Sequence, residues 1–433
     1  MKKKIIYMTL SAEMLHHGHI NLINKAQEYG ELTVGLLTDE AIQERKSLPL
    51  LNWSQRKKIL TNIKGVSKII AQKEWDDSKN ISMLEPSFVI HGDDWKINDP
   101  QLKKNVLKAL KKYNGKLIEV PYTKNISSSS LKKKIIKLGT TPHTRRNMLS
   151  RLLSSKPICR FIETHSPLSA LVAENARYDS KSGVKEFDGF WSSSLTDSTL
   201  KGKPDIEVLE INQRLQNIND IFDVTSKPLI LDADTGGKIE HFEINIRTIE
   251  RMGISAVIIE DKKGLKKNSL LGTSVKQEQE TIKDFCKKIE IGNKACVSNE
   301  LLLIARIESL ILEKGLKDAL KRADEYLSAG AKGIMIHSKK ENPKEVFEFA
   351  REFRKNVKET PLVVVPSTFS QVKESQLIDF GFNIVIYANH LLRATYPAME
   401  MVAKSILKNE RAHEQEKNLI SIKKILKLIP GTT

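Results

Sequence analysis

Between about residues 155 and 410, eight short apolar runs recur at broadly regular spacing with helix-patterned stretches between them. They are LSALVAE, DGFWSSS, PLILDAD, SAVIIED, LLLIARIES, GIMIHS, PLVVVPS and FNIVIYANH. Eight strand–helix repeats predict a closed (β/α)8 barrel. Each run also ends on polar residues: Glu174; Ser192 to Ser194; Asp232 and Asp234; Glu260; Arg306 and Glu308; His337; Ser367; Asn389 and His390. Buried strands need no polar terminus, whereas a catalytic face assembled from strand tips does. A doubly wound open sheet is the alternative fold, but it would gather its polar tips at one switch point. The intervening segments read as scaffold, as in GLKDALKRADEYLSAG, where Leu316, Leu320, Ala323 and Leu327 share a stripe.

Asp232, Asp234 and Glu260 fall at two successive tips within one stretch, each directly behind a short apolar run, and none of these three tip residues is a His or Cys. Hard oxygen ligands favour Mg²⁺, or Mn²⁺, over zinc, and Mg²⁺ takes its remaining ligands from water and an anionic substrate. Taken singly, such acids are more often helix caps on surface loops.

The 433 residues leave room for a second, smaller α/β unit ahead of the barrel. Composition is that of a globular protein, with no apolar run near the ~18 residues that span a bilayer and no signal-peptide pattern, so a cytoplasmic location is expected. Cys159, Cys286 and Cys296 form neither a disulfide framework nor a zinc pattern. A net charge of +18 admits nucleic acid as a partner. The lysines responsible are spread over the whole chain without interleaved aromatics, which reads as solvated surface, so neither nucleic acid nor membrane is expected.

The N-terminal 137 residues open with a βαβ pattern: KKIIYMTL, a helix with Ile20, Leu22, Ile23 and Ala26 on one face, then LTVGLLTD. This predicts a Rossmann-like parallel sheet. At the turn into the first helix lies His16-His17-Gly18-His19, an HxGH pattern whose glycine lets backbone approach a phosphate at a helix N-terminus. Lys46 and Arg56 follow, then HGDDW at 91–95 and ISSSS at 126–130. In this order the motifs resemble the cytidylyltransferase-type nucleotidyltransferases. That resemblance implies that His16 and His19 stabilise the transition state. It implies a nucleotide site of Thr9, Lys46, Arg56, Gly92, Asp94, Ser127 and Ser128, with CTP and a phosphonate or phosphate as substrates. Two departures stand out: Thr9-Leu10-Ser11 replaces a TFD-like triplet, and Lys124 lies where an arginine usually leads into the serine motif.

The second region resembles the phosphoenolpyruvate mutases of the isocitrate lyase and phosphoenolpyruvate mutase superfamily. The carrying motifs are FWSSS, LDADTGG, EDKKGLKKNSL, ARIES, MIHSKK and YANHLLRA. The resemblance implies Mg²⁺ held by Asp232, Asp234 and Glu260, the first directly and the others partly through water. It gives Arg306 and His337 the task of neutralising phosphoryl and carboxylate charge, and Asn268 that of positioning the migrating group. Trp191, Ser193, Ser194 and Glu308 complete the substrate-binding set. Asp205, in the lid-like TDSTLKGKPDIEV, belongs to the gating loop, with Lys266 facing it. In the superfamily the asparagine at 268 separates mutases from phosphonopyruvate hydrolases, and the lyases' KKCGH-like cysteine is absent here. A bifunctional enzyme is expected, making phosphonopyruvate from phosphoenolpyruvate and coupling 2-hydroxyethyl- or 2-aminoethylphosphonate to CMP. The rivals are a phosphonopyruvate hydrolase joined to an unrelated nucleotidyltransferase, and a basic nucleic-acid-binding protein.

Gly139 to Pro142 break the preceding helix, so 138–154 reads as a linker between domains 1–137 and 155–410. The tail, 411–433, contains NLISIKKILKLIP, which reads as an amphipathic helix packed on the barrel or across a subunit contact. The resemblance implies a homo-oligomer, dimer or tetramer, assembled through the barrel domain.

Overall fold

The computed structural model describes residues 4–93, 95, 99–121, 140–180, 183–264 and 266–429. The N-terminal unit is built on five parallel strands, β1 (Ile5–Leu10), β2 (Glu31–Leu37), β3 (Lys68–Gln72), β4 (Phe88–Gly92) and β5 (Lys116–Val120), in the order β3-β2-β1-β4-β5. This is the expected Rossmann-like sheet, with β1 central and covered on both faces. Ile6, Met8 and Leu10 pack into one layer and Tyr7 into the other. Tyr7 explains a glycine on the neighbouring strand, because a Cβ at Gly35 would lie 2.0 Å from its hydroxyl. The order reverses beside β1, and ligands bind at such a switch point, outside the carboxyl ends of the strands.

The second unit is a closed barrel of eight parallel strands. In chain order, with two small antiparallel pairs interposed, the strands are β6 (Cys159–Glu163), the hairpin β7 (Arg177–Ser180) and β8 (Gly183–Glu186), β9 (Gly189–Ser192), β10 (Leu229–Asp232) and β11 (Ala256–Glu260). There follow the short pair β12 (Lys262–Lys263) and β13 (Glu278–Gln279), then β14 (Leu302–Ile307), β15 (Gly333–Ile336), β16 (Leu362–Val364) and β17 (Ile384–Tyr387). β17 pairs with β6 to close the ring. Alternate strand residues face inward, where Phe161, Trp191, Ile230, Ile258 and Met335 form the barrel interior, and outward against the helices.

Three expectations need correction. LSALVAE is helix, Pro167–Asn175, capped by Ser166 with proline in its first turn, and the first strand is CRFIE just before it. The first tip is therefore Glu163, while Glu174 accepts a bond from Ser226 Oγ at 2.8 Å. Within the supposed linker 138–154, Pro142–Ser155 is a helix started by the Thr141 side chain. It inserts Leu149 and Leu152 into the interior cluster of the barrel. Its buried Arg145 donates to the Thr225 carbonyl at 2.9 Å. The tail is not one helix: a 3-10 segment at His413–Asn418 precedes a helix of five residues, Ile422–Leu426, and Leu419, Ile422, Ile425, Leu426 and Ile429 are exposed.

The two units touch. Arg151, on the helix Pro142–Ser155, donates to the carbonyls of Pro49 and Leu50 at 2.6 and 2.9 Å. Leu48 packs against the barrel-interior cluster. At the β7–β8 hairpin, Gly183 has φ +127°, and a Cβ there would meet the Glu44 carbonyl oxygen at 2.1 Å. Only glycine allows that approach.

Candidate functional site

At the carboxyl end of the barrel a small cavity of about 70 Å³ is lined by Trp191, Ser193, Ser194, Asp205, Asp232, Lys266, Asn268, Arg306 and His337, among others. Each comes from a strand tip or the loop after it, as the barrel architecture requires. Asp232 ends β10, and its carboxylate accepts from Ser194 Oγ and from the Asp234 backbone N–H, both at 3.2 Å. Asp234, Glu207 and Asn389 have φ between +54° and +59°, a left-handed backbone uncommon outside glycine, and Asn389 lines the cavity.

Lys266 sits among the acids. Its ammonium lies 2.5 Å from Asp234, 3.4 Å from Asp205 and 3.9 Å from Asp232, and it also donates to Ser194. Burial disfavours its charge, but Asp234, Asp232, Glu260 and Asp205 together raise its pKa and hold it charged. Asn268 donates to Asp205 Oδ2 at 2.9 Å. The loop bearing Asp205 is thus tied down over the mouth from two sides, by Asn268 and Lys266.

Arg306 ends in a second charged knot. Its Nε donates to Glu308 at 2.6 Å, its Nη2 to Ser269 Oγ at 2.5 Å, and its Nη1 lies 3.3 Å from Glu260. Burial disfavours its charge, yet Glu308, Glu260 and Asp232 raise its pKa. His337 is buried beside it; desolvation first, then Arg306, lowers its pKa to about 3, so the free site holds a neutral imidazole. Its Nδ1 has no hydrogen-bond partner among the described residues. A dianion entering the cavity would supply the charge that a protonated ring needs.

The acids do not form a ready-made metal triad: among the described residues no three His, Cys, Asp or Glu side chains stand close enough to hold an ion. Asp232 lines the cavity, whereas Asp234 is shared by Arg214 and Lys266, and Glu260 lies behind Arg306 and Lys262. Glu308 also lies behind the lining, buttressing Arg306 rather than facing a substrate. The residue types still fit a hard cation. Among the described residues neither buried Glu260 carboxylate oxygen completes a hydrogen bond, Arg306 and Lys262 standing 3.3 and 3.5 Å away, and desolvation raises its pKa to about 7. The donors available are all oxygen.

Sequence reasoning missed Arg214, whose Nε donates to Asp197 at 2.9 Å while Nη1 reaches Asp234 at 3.3 Å. It also missed Lys262, which donates to Ser269 Oγ at 2.7 Å and pairs with Glu308 at 3.2 Å. Ser269 joins Lys262, Arg306 and Glu308 within the second knot; its only sequence signal is its place beside Asn268.

The N-terminal unit holds a larger cavity, about 780 Å³, over the carboxyl ends of its strands. Thr9, His16, His19, Lys46 and Gly92 line it, together with Trp75, Asp77 and Trp95. His16 caps the first helix, accepting from the Gly18 N–H at 3.2 Å, and His19 Nδ1 accepts from the His16 N–H at 3.3 Å. The rings lie 4.0 Å apart. Burial lowers both, His19 to about 4 with help from His16 and Lys46, so two neutral imidazoles face the cavity. Lys46 Nζ lies 5.3 Å from the Trp75 ring. Arg177, Asp179, Gly183 and Val184 of the barrel's hairpin also line this cavity, so one wall comes from the other unit. Arg56 is a correction: fully buried, it donates to the carbonyls of Ser11, Leu37 and Leu51 and pairs with Asp39 at 2.6 Å, clamping loops rather than lining the cavity. Asp94, Ser127 and Ser128 lie outside the described residues.

Comparison with known proteins agrees with this division. Residues 149–407 match the family model described as phosphoenolpyruvate phosphomutase, and residues 11–134 match that of cytidylyltransferase-like domains. A phosphoenolpyruvate phosphomutase of Tetrahymena pyriformis is 31% identical over 66% of this chain and 91% of its own. The crystal structure of a phosphoenolpyruvate phosphomutase from Streptomyces platensis subsp. rosaceus is 33% identical, with TM-score 0.61, over 65% of this chain and 94% of that one. A phosphonopyruvate hydrolase solved with oxalate and Mg²⁺ is 30% identical, with TM-score 0.59, over 67% and 95%. On the strength of the barrel match, which takes in more than half of its length, this chain belongs to the phosphoenolpyruvate phosphomutase family and carries a cytidylyltransferase-like domain ahead of the barrel.

Proposed function

We propose that the barrel is a Mg²⁺-dependent phosphoenolpyruvate mutase, converting phosphoenolpyruvate to phosphonopyruvate, and that the N-terminal domain transfers CMP from CTP to a phosphonate. The observation that carries the first half is the closed contact of Asn268 and Lys266 with Asp205 above Asp232. A phosphoryl group in transit is lost to water unless the site is shut, and here the lid is latched by the residues that would touch that group.

Asp232 and Glu260, with Asp234, would hold Mg²⁺, which supplies Lewis-acid stabilisation of the pyruvate enolate. Arg306, fixed by Glu308 and Ser269, presents a permanent positive charge to the phosphoryl oxygens. His337 donates beside it. Backbone N–H groups near Ser193, with Ser194, cradle the carboxylate, and Trp191 packs on the organic part. Asn268 keeps the migrating group over C3 while Asp205 excludes water. Incubating the protein with Mg²⁺ and phosphonopyruvate tests this: a ³¹P signal for phosphoenolpyruvate supports the mutase, whereas inorganic phosphate alone selects the hydrolase reading, which the similarity to phosphonopyruvate hydrolase keeps in view.

In the N-terminal domain a phosphonate oxygen would attack the α-phosphorus of CTP, with pyrophosphate leaving. His16 and His19 would donate to the charge that builds there, and Lys46 would hold the triphosphate. Pyrophosphate release with 2-aminoethyl- or 2-hydroxyethylphosphonate tests it. The reading places both activities in the cytoplasm, where both substrates are made. It includes a homo-oligomer, supported by the apolar surface of the helix His390–Asn409, which buries none of its residues and exposes Tyr396, Met399 and Leu407. Sedimentation of the full chain would reveal its copies.

A further inference from the structure

The lining of the N-terminal cavity is split by charge. His16, His19 and Lys46 form one group, in which Lys46 acts on His19; Asp77 and Asp99 form another, with Asp99 acting on Asp77. Trp75 joins them, with Lys46 Nζ 5.3 Å from its ring and its Nε1 donating to Asp99 at 3.1 Å.

Asp77 is the unusual member. It is 1% exposed, neither carboxylate oxygen completes a hydrogen bond among the described residues, only the Thr9 hydroxyl helps to hold its charge, and its charged neighbours are the acids Asp76 and Asp99. It stands at the cap position of the helix Ser78–Leu84, yet its side chain makes no capping bond, so the ordinary structural task of an aspartate there is not performed. A buried carboxylate with so little to offset its charge is costly, and such groups persist where a ligand completes them. Burial raises its pKa to about 7, so an arriving cation would draw it into the ionised form.

We propose that Asp77 receives the ammonium group of the acceptor, so that this site takes a zwitterionic phosphonate carrying a primary amine. The inference rests on the transferase reading and narrows it. The phosphonate end meets His16, His19 and Lys46; one of its oxygens forms the new bond to the α-phosphorus of CTP as the bond to pyrophosphate breaks. The amine takes no part in the chemistry and neutralises Asp77 instead. A hydroxyl in its place offers one hydrogen bond and no charge.

The test is pyrophosphate release by the full-length protein with CTP and Mg²⁺, comparing 2-aminoethylphosphonate with 2-hydroxyethylphosphonate, for wild type and Asp77→Asn. The wild type should favour the amine by about tenfold or more in kcat/KM. Asp77→Asn should erase that preference, raising KM for the amine several-fold more than KM for CTP or for the hydroxyl acceptor. The wild-type preference needs no variant, and a thermal melt checks that the variant folds. Equal use of both acceptors by wild type, or a KM for CTP raised as much as that for the amine in the variant, overturns the proposal and leaves the transferase standing. No pyrophosphate from either acceptor overturns the transferase reading and the proposal together.

Discussion

The two cavities solve the handling of phosphorus in opposite ways. The barrel mouth is small, and its charges are numerous, buried and paired with one another: Lys266 with three acids, Arg306 with two. The N-terminal cavity is about 780 Å³ against about 70 Å³. His16 and His19 are neutral, and Asp77 has no counter-charge among the described residues. An intramolecular transfer needs every group fixed and water excluded before it begins, whereas a reaction that must admit two substrates leaves charge to be completed by them. The difference teaches where function can be cut without collapse: removing a barrel charge orphans its partners, while the N-terminal lining can be changed one residue at a time.

That contrast can be broken experimentally. Arg306→Ala should lower the barrel reaction by about 10² to 10³-fold, the cost of one fixed donor to transition-state charge, with CTP-dependent pyrophosphate release unchanged; loss of both activities would show that the halves do not act separately. Asn268→Ala should cost on the order of 10²-fold in phosphoenolpyruvate formed from phosphonopyruvate, with inorganic phosphate rising in the ³¹P spectrum as the latch on Asp205 fails. Arg56→Met should destabilise the N-terminal half by about 3 kcal/mol, because Asp39 and three carbonyls lose their donor, seen as an earlier unfolding step while barrel turnover persists.

Acidification sharpens the comparison further. An unfolded histidine takes up its proton near 6.5, and folded His19 only near 4. Between those values the unfolded chain binds more protons, so stability falls as pH drops through that window and is level above it. Solvent at the part-exposed ring limits the slope to about 1 kcal/mol per pH unit, and His19→Gln should flatten it in melts from pH 7 to 4.5. His337, lowered to about 3, adds a loss of the same sign from the barrel. Gly183→Val acts at the seam: a positive φ that valine resists and a clash with the Glu44 carbonyl, about 3 kcal/mol of strain, should part the hairpin from Glu44, raise transferase KM several-fold and leave the barrel reaction alone.

Much of this was legible in the residues because a parallel sheet buried on both faces must read as apolar runs, and its working ends must not. Seven of the eight barrel strands were found that way. The eighth, Cys159–Glu163, hid because Arg160 interrupts its pattern; that charge is tolerated by its pairing with Glu374 at 2.6 Å, a partner more than two hundred positions away. The apolar LSALVAE drew the assignment instead, although Ser166-Pro167 marks a helix start. The supposed linker carried its signal in Leu149 and Leu152, masked by arginines whose carbonyl partners no local pattern reveals. Within the sites, residues at strand tips were readable and residues that hold them were not. Arg214 reaches Asp234 from a helix, and Glu308 and Arg56 turn from expected ligands into supports once their partners are seen.

The hairpin that closes one side of the N-terminal cavity belongs by chain position to the other half. The fusion is therefore more than two modules sharing a transcript: a fragment ending near residue 137 would be born with a breach in its binding chamber. Neither half could be exchanged for a homologue without bringing along a matching seam, and the two would have to drift in step.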